Sequence, residues 1–346
     1  MLKDKKHIIL TSALLGTCGG VVFSLISFIL NFFSWIFPIL GIVIGEFVFL
    51  YFFVQRFFYK KGTSSVLEII NVETCERTTL KVFENTIIES PNWRKDENAI
   101  LYNSNGFIFS YNIDNDTVEK IDIGDLKDCN NDHVLSPDGT GFAISCNKYK
   151  VLGSQIYTLK FGSSESKLIT PKSPSYLHGW SPDGSTLVYC AKRNGQFDIY
   201  AKNINGTDEI QLTSSKGHND GCEYSPDGKH IWFNSARDGL MQIYRMDCDG
   251  KNVRRITDSK ERNSWFAHVS PKGDKIVYLA FNSKDIEPEE HLPDKNIQIR
   301  LMNYDGSNDR VIAEFYGGQG SFNTNSWSSD GKYIACVRYE PPKKYS

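Results

Sequence analysis

Two patterns of hydrophobic and polar positions divide the chain. Up to about residue 58 nearly every position is apolar, and between His7 and Phe58 the only formal charges are Glu46 and Arg56. From about residue 65 onward, short runs alternate between apolar and polar positions, and clusters of Gly, Pro, Asp and Asn separate them. The first pattern is typical of membrane-spanning helices, and the second of β-strands joined by tight turns.

The apolar N-terminal segment is long enough to cross a membrane twice. It is about twice the roughly 20 residues that one spanning helix needs. We place the two helices at about 8–31 and 36–57, because polar residues and a proline interrupt the pattern from Asn31 to Pro38. A secretory signal peptide would end after a shorter apolar core, so residues 1–61 are predicted to form a retained membrane anchor.

Basic residues on both sides of the anchor predict its orientation. Three lysines precede the first helix and Arg56, Lys60 and Lys61 follow the second, whereas the turn between the helices carries none. Basic flanks stay in the cytoplasm, so we expect a multi-pass protein of the cell membrane whose following domain lies on the cytoplasmic side. Glu46 is either a functional group within a span or a glutamate neutralised by protonation or helix pairing near one interface.

A tetrapeptide repeat organises the rest of the chain. Ser-Pro-Asp-Gly begins at Ser136, Ser181 and Ser225, and variants begin at Ser270 and Ser328, at intervals of 45, 44, 45 and 58 residues. Proline presets φ, serine and aspartate bond to the local backbone, and glycine takes the positive φ, so each copy suits a hairpin turn. A period in the forties is typical of a four-stranded propeller blade.

The strand count predicts a ring of six blades over residues 65–340. A degenerate copy near Asn92 supplies the first blade. The last copy, residues 325–339, supplies two strands, and the segments 67–71 and 78–82 supply the two that it lacks. Pairing the two ends closes the ring and removes exposed strand edges. The predicted fold is therefore an all-β, six-bladed propeller with a composite closing blade, preceded by the two-helix anchor.

The blade sequence resembles a known repeat. Trp180-Ser181-Pro182-Asp183-Gly184, followed by Asp198-Ile199-Tyr200, is similar to the WD40-like (PD40) repeat of the TolB-like β-propeller family. The resemblance implies the fold. It does not by itself imply a function, because the same blade occurs in a translocation protein, in peptidase propellers and in oligogalacturonate lyases. The amino-terminal domain of TolB has no counterpart here.

Composition excludes some functions. A formal net charge of -2 gives no basic surface for nucleic acid, so we expect no nucleic-acid partner. The eight cysteines are scattered singly, without a CxxC pair or a Cys/His spacing that would form a zinc site. They are predicted to be core thiols in a reducing compartment.

Residues just before each innermost strand should gather around one mouth of the central channel, where ligands of such rings commonly bind. Trp265 and Phe266 are expected there either as recognition anchors or as core rings wedged between blades. The predicted ligand-binding collar comprises Asp132, His133, His178, Asn219, Asp220, Trp265, Phe266, His268, Gln319 and Asn323.

Two histidines of this collar are the candidates if a metal binds. His133 and His178 both lie three residues before the serine of their motifs, and neutral imidazoles bind divalent metals. The resemblance to the lyases implies a site of histidines with a glutamine, for which Gln319 is the match. Phe322 and Thr324 stand where those lyases have further histidines. The alternative for the collar is a hydrogen-bonded channel lining.

The sequence favours a binding module over an enzyme. It contains no nucleophile elbow, zinc-protease pair, Walker loop or dinucleotide fingerprint. We therefore expect a membrane-tethered propeller that binds a protein or small ligand at its mouth without a cofactor. The alternative is a metal-dependent enzyme that works from the same mouth. An insertion in the fifth blade, Lys284 to Lys295, is either a further recognition element or a solvated acidic loop.

Overall fold

The computed structural model describes residues 62–94, 98–147 and 153–342. These residues form 23 β-strands and one short 3-10 turn, Gln319–Ser321. Within these ranges no helix has the length and apolar character that a bilayer crossing requires. The predicted membrane anchor, residues 1–61, lies outside the described residues.

The strands form blades in chain order, and each intact blade is a four-stranded antiparallel sheet with its innermost strand first. The chain enters the ring with β1 (Ser64–Asn71) and β2 (Arg77–Phe83). Blade 1 comprises β3 (Glu89–Arg94), β4 (Ala99–Ser104), β5 (Phe107–Asn112) and β6 (Thr117–Lys120). Blade 2 comprises β7 (Cys129–Leu135), β8 (Gly141–Cys146), β9 (Gln155–Lys160) and β10 (Ser166–Leu168).

The remaining blades follow the same order. Blade 3 comprises β11 (Ser175–Trp180), β12 (Thr186–Arg193), β13 (Gln196–Asn203) and β14 (Glu209–Gln211). Blade 4 comprises β15 (Asn219–Tyr224), β16 (His230–Ser235), β17 (Gln242–Asp247) and β18 (Arg254–Arg255). Blade 5 comprises β19 (Arg262–Val269), β20 (Lys275–Asn282), β21 (Pro293–Asn303) and β22 (Arg310–Gly318). The last strand is β23 (Tyr333–Glu340).

The sixth blade joins both ends of the described chain, as predicted. Strand β23 pairs antiparallel with β1, from Ser64 opposite Glu340 to Asn71 opposite Tyr333. Strand β1 also pairs with β2, which gives the order β2-β1-β23. A single bridge between Trp327 and Ile334 stands in place of a regular innermost strand. The six-bladed ring with a composite closing blade is thereby confirmed.

Apolar contacts between blades hold the ring together. The described residues contain six buried hydrophobic clusters, one at each junction between neighbouring blades. At the junction of blades 4 and 5, for example, Trp232 and Tyr278 are both fully buried. Burying an aromatic side chain of this size contributes about 2–3 kcal/mol, so these junctions supply much of the stability of the ring.

Each innermost strand of the five intact blades contains a β-bulge, which redirects side chains near the channel. In β11 the irregularity falls between Leu177 and Gly179, so that His178 lies in the bulge. In β7 the register resumes at His133, which pairs with Ile144. The two histidines that are equivalent in sequence are therefore not equivalent in structure.

One pair of cysteines departs from the expectation of core thiols. Cys129 and Cys146 form a disulfide between β7 and β8. They are direct partners across the ladder, a register that their spacing in the sequence does not reveal. The other cysteines in the described part are thiols, namely Cys75, Cys190, Cys222, Cys248 and Cys336.

Candidate functional site

Three imidazole rings surround one carboxylate at the mouth of the channel. The Nε2 atom of His178 lies 2.8 Å from Oδ1 of Asp220. On the other side of the carboxylate, Nε2 of His218 lies 3.2 Å and Nε2 of His291 lies 3.6 Å from Oδ2. The side chain of Asp220 is 9% exposed, so these contacts form in a nearly water-free environment. We call His178, His218, Asp220 and His291 the mouth cluster.

Neighbouring aromatic rings orient the histidines of the mouth cluster. The ring of His218 stacks on Phe197 with 4.7 Å between centroids. The ring of His291 meets Trp265 edge-on at 4.6 Å, and His178 lies 6.1 Å from Phe266. Packing of this kind restricts the rotation of the three imidazole rings.

The long connection of blade 5 folds over the mouth cluster. Residues 283–292, which we call the mouth loop, join β20 to β21 and carry His291. The carboxylate of Glu289 accepts a 3.1 Å hydrogen bond from the backbone N–H of His218. The Lys295 side chain donates to the backbone carbonyl of Asp285 at 3.1 Å. The bond from His218 docks the loop on blade 4, and the bond from Lys295 holds the loop within blade 5.

The charges of the mouth cluster are set by mutual attraction. Burial would raise the pKa of Asp220, but His178, His218 and His291 lower it well below its usual range. Burial disfavours the charged form of His178 and His291, yet the Asp220 carboxylate raises the pKa of both rings. The side chain of Gln319 also contacts His291 and raises its pKa further. The site thus holds an ionised carboxylate that favours protonated imidazoles.

A second carboxylate of the collar lies close by in an amide-rich setting. Asp132 accepts hydrogen bonds of 2.8 Å from Nδ2 of Asn323 and 2.8 Å from Nδ2 of Asn130. The same amide of Asn323 donates to the backbone carbonyl of Asn131 at 3.1 Å. Burial raises the pKa of Asp132. The structure therefore brings Asp132 and Asn323 together, with blade 1 between their blades.

His268 contacts a different carboxylate, that of Glu223. Its Nδ1 atom lies 2.7 Å from Glu223, which also accepts from Nδ2 of Asn325 at 2.7 Å and from the backbone N–H of Val269 at 3.1 Å. Glu223 is on β15, His268 on β19, and Asn325 precedes β23. This carboxylate links three blades beside the channel and fills its hydrogen-bonding capacity with protein groups.

His133 has none of these partners. It is fully buried, and both ring nitrogens lack a hydrogen-bond partner. Burial lowers its pKa to about 3. His133 and His178, the predicted metal pair, thus lie in different environments, because the bulges of β7 and β11 fall at different positions.

Three other predicted collar residues make their contacts within the fold. Trp265 and Phe266 are 0% and 1% exposed and belong to the core between blade 5 and the closing blade, which favours the second of the two expectations, core rings wedged between blades. The register of β19 shifts between Trp265 and His268, and both rings contact His291 of the mouth loop. Asn219 donates to Asp198 at 3.0 Å and accepts from Arg237 at 3.0 Å.

The collar prediction omits two residues that the fold places at the mouth. His291 comes from the blade 5 insertion, and loops between second and third strands lie on the same face as the collar. Cys190 lies on β12 and pairs with Tyr176 of β11. Each of three residues, Cys190, His218 and Asp220, offers one ligand atom, and these three atoms lie within 4.8 Å of one another.

A cavity lies on the opposite face, between the Ser-Pro-Asp-Gly hairpins of blades 2 and 3. It has a volume of about 750 Å³ and is lined in part by Asp138, Lys160 and Trp180. Its charged side chains, Asp138 and Lys160, are exposed to solvent. The converging histidines and the buried carboxylate make the mouth the better candidate site.

Comparisons with known proteins agree with the ring. The TolB beta propeller domain matches residues 136–291. An uncharacterized protein of Agrobacterium fabrum is 43% identical over 279 residues, which are 80% of this chain and 93% of that protein. A solved structure from Agrobacterium tumefaciens, provisionally assigned as TolB, has a TM-score of 0.77 at 42% identity and covers 81% of this chain and 99% of its own.

A more distant structure shares the fold alone. An oligogalacturonate lyase of Vibrio parahaemolyticus has a TM-score of 0.50 at 14% identity and covers 78% of each chain. By contrast, the Agrobacterium relatives share over two-fifths of their residues along nearly the whole ring. The repeated turn, the closed ring of six blades and these relatives lead to one conclusion: the chain belongs to the TolB-like β-propeller family.

Proposed function

We propose that this protein is a membrane-tethered propeller that binds a protein or small ligand at the mouth of its channel, without catalysing a reaction. The observation that carries the proposal is the mouth loop docked over a buried cluster of one carboxylate and three imidazoles. A rigid ring positions these groups, and a long loop on such a scaffold often serves recognition.

The mouth loop supports the proposal through its exposed acidic groups. Glu287, Glu289 and Glu290 are exposed, while Ile286 is buried and anchors the loop. An exposed acidic surface beside partly covered histidines suits a partner that presents basic or hydrogen-bonding groups. Opening of the loop would expose the mouth cluster to that partner.

The tether remains part of the proposal. Helices at 8–31 and 36–57 would hold the propeller at the membrane, and the flanking lysines and arginines favour the cytoplasmic side. The disulfide between Cys129 and Cys146 points the other way, because such bonds persist in oxidising compartments. We keep the cytoplasmic side, since the charge bias acts on membrane insertion itself.

Labelling of intact cells tests the orientation. A Glu340→Cys variant, compared with the unsubstituted protein, should resist a membrane-impermeant thiol reagent until the cells are opened. Labelling of intact cells above that background would place the propeller outside and overturn this part of the proposal.

A photo-cross-linker tests the binding site. The reactive amino acid is placed at Glu287 in the mouth loop and, as a matched control, at Lys229, an exposed hairpin residue on the opposite face. Membranes irradiated with the Glu287 probe should give a discrete adduct that the Lys229 probe does not. Equal adducts from both positions would contradict a binding mouth. So would the absence of an adduct at Glu287, if small molecules also fail to raise the unfolding temperature of the protein.

A metal-dependent reaction at the same mouth is the second candidate. The observation in its favour is the set of imidazole, carboxylate and thiol groups around Asp220. It needs both a bound metal and a turnover, and the binding proposal needs neither, so the two are separable by experiment.

A further inference from the structure

We infer that the mouth holds a divalent transition-metal ion, of which zinc is the best fit, on Cys190, His218 and Asp220, with His178 or His291 as the fourth ligand. The first three residues each offer a ligand atom within 4.8 Å of the other two. His178 and His291 add Nε2 atoms 2.8 Å and 3.6 Å from the same carboxylate.

The distances are close to those of a bound ion. Zinc takes nitrogen and oxygen ligands at about 2.0–2.2 Å and sulfur at about 2.3 Å, so ligand atoms of a tetrahedral site lie roughly 3–4 Å apart. Nε2 of His218 and Nε2 of His291 lie 3.2 Å and 3.6 Å from Oδ2 of Asp220, which is already of that size, whereas Nε2 of His178 lies 2.8 Å from Oδ1, a direct hydrogen-bond distance. The 4.8 Å limit on the ligand atoms of Cys190, His218 and Asp220 exceeds that range by about 1–2 Å, which side-chain shifts would have to close.

The donor types select the metal. Thiolate and imidazole favour zinc and related transition metals, whereas calcium and magnesium prefer oxygen ligands. With a cysteine thiolate, an aspartate and two neutral imidazoles, a divalent ion gives a neutral site, which suits its burial. Binding would therefore release the proton of the Cys190 thiol and any proton held by an imidazole that becomes a ligand.

The surroundings distinguish this carboxylate from the other buried acids. Asp198 is paired with amides and a hydroxyl, and Glu223 with one imidazole, an amide and a backbone N–H, which satisfy both within the fold. Asp220 accepts from the backbone N–H of Gly221, but three imidazole Nε2 atoms also converge on it, and the Nδ1 atom of His291 has no hydrogen-bond partner. Converging imidazoles with fixed rings are what a metal site requires.

The ion would also have a structural effect. Cys190 belongs to blade 3, Asp220 to blade 4 and His291 to the mouth loop of blade 5. With His291 as the fourth ligand, a shared ion would join these three parts of the ring and hold the mouth loop closed. This inference concerns the same mouth as the proposed function but does not depend on partner binding.

Metal titration of the full chain in detergent tests the site. After chelation and removal of the chelator, the protein is titrated with Zn²⁺ and Co²⁺, and bound metal is measured by elemental analysis. We expect one equivalent of Zn²⁺ or Co²⁺ per chain. Zn²⁺ should raise the unfolding temperature, and Mg²⁺ should leave it unchanged. The Co²⁺ form should show a thiolate charge-transfer band.

Variants identify the ligands. Cys190→Ser should remove the charge-transfer band, and His218→Gln and Asp220→Asn should weaken Zn²⁺ at least about tenfold. The matched controls are Cys336→Ser, a buried thiol of the closing blade, and His230→Gln, whose ring contacts Tyr304 far from the mouth. Both controls should bind as the parent does.

Two results would overturn the inference. One is a folded protein that takes up no stoichiometric Zn²⁺ or Co²⁺ and gains no thermal stability. The other is equal metal binding in the ligand variants and the controls. A metal-free protein that still forms the Glu287 adduct would keep the proposed function, and a metal-binding protein without an adduct would keep this inference.

Discussion

The carboxylate of Glu223 on blade 4 accepts a 2.7 Å hydrogen bond from the side-chain amide of Asn325 in the closing blade, across the position of blade 5. The same carboxylate contacts His268 and the backbone N–H of Val269 on blade 5. Three blades thus depend on one buried acid, and its loss leaves several polar groups without a partner.

Removing that acid should destabilise the ring strongly. We expect Glu223→Ala to lower the free energy of unfolding by about 3–5 kcal/mol, because a buried charged network loses its centre. Glu223→Gln keeps some hydrogen bonds and should cost less. Urea unfolding followed by tryptophan fluorescence measures both, and equal small effects would show that the network contributes little.

The buried His133 should make the protein sensitive to acid. The pKa of this ring is about 3 in the fold against 6.5 ordinarily, so the folded protein keeps it neutral while the unfolded chain takes up a proton. The stability that this difference contributes is present above pH 6.5 and is lost as the pH falls toward 3. At pH 5 the loss should be about 2 kcal/mol.

A His133→Leu variant isolates this effect. The variant lacks the two unpartnered ring nitrogens of His133. From pH 7 to pH 5, the unfolding free energy of the variant should therefore rise by about 2 kcal/mol relative to that of the parent. Urea titrations at the two pH values give this difference. Parallel pH profiles would mean that the ring of His133 is solvated or paired in solution.

Trp265 should behave as a core residue. Trp265→Ala removes a fully buried ring and should cost about 3–5 kcal/mol of stability. The exposed Leu292 in the mouth loop is the comparison, and Leu292→Ala should change stability by less than about 0.5 kcal/mol. A stable Trp265→Ala protein would return this ring to the recognition surface.

The closing blade should be essential. Deleting residues 66–84 removes most of β1 and all of β2 and leaves β23 without its partner, so the ring should aggregate or melt early. Leu67→Ala, a fully buried position of β1, should cost about 2–5 kcal/mol without loss of the fold. Cooperative unfolding at an unchanged temperature in the deletion would show that the last blade closes by other strands.

The ring could be predicted because its turns are chemically local. In the motif at Ser181, for example, the serine hydroxyl bonds to Asp183, and the backbone N–H of Gly184 bonds back to the carbonyl of Ser181. Such contacts depend on a few adjacent residues and repeat with the blade. The pairing of β1 with β23 then follows from the number of strands left over.

The details of the mouth depend on long-range geometry and could not be predicted in the same way. His133 and His178 have equivalent sequence positions, but the bulges of β7 and β11 fall at different places. His133 therefore pairs regularly with Ile144 of β8, whereas His178 lies in a bulge at the mouth. The position of His291 depends on how the mouth loop folds back, and the Cys129–Cys146 pair depends on ladder register. None of these is encoded by residue spacing alone.

The seam between β1 and β23 has a consequence for how the protein is made. During synthesis β1 and β2 leave the ribosome long before β23, so a nascent chain carries an unpaired strand edge until its last blade is complete. Chains that stop early keep that edge and present it to chaperones and proteases. Full-length protein therefore differs from truncated products in that its β1 edge is paired with β23.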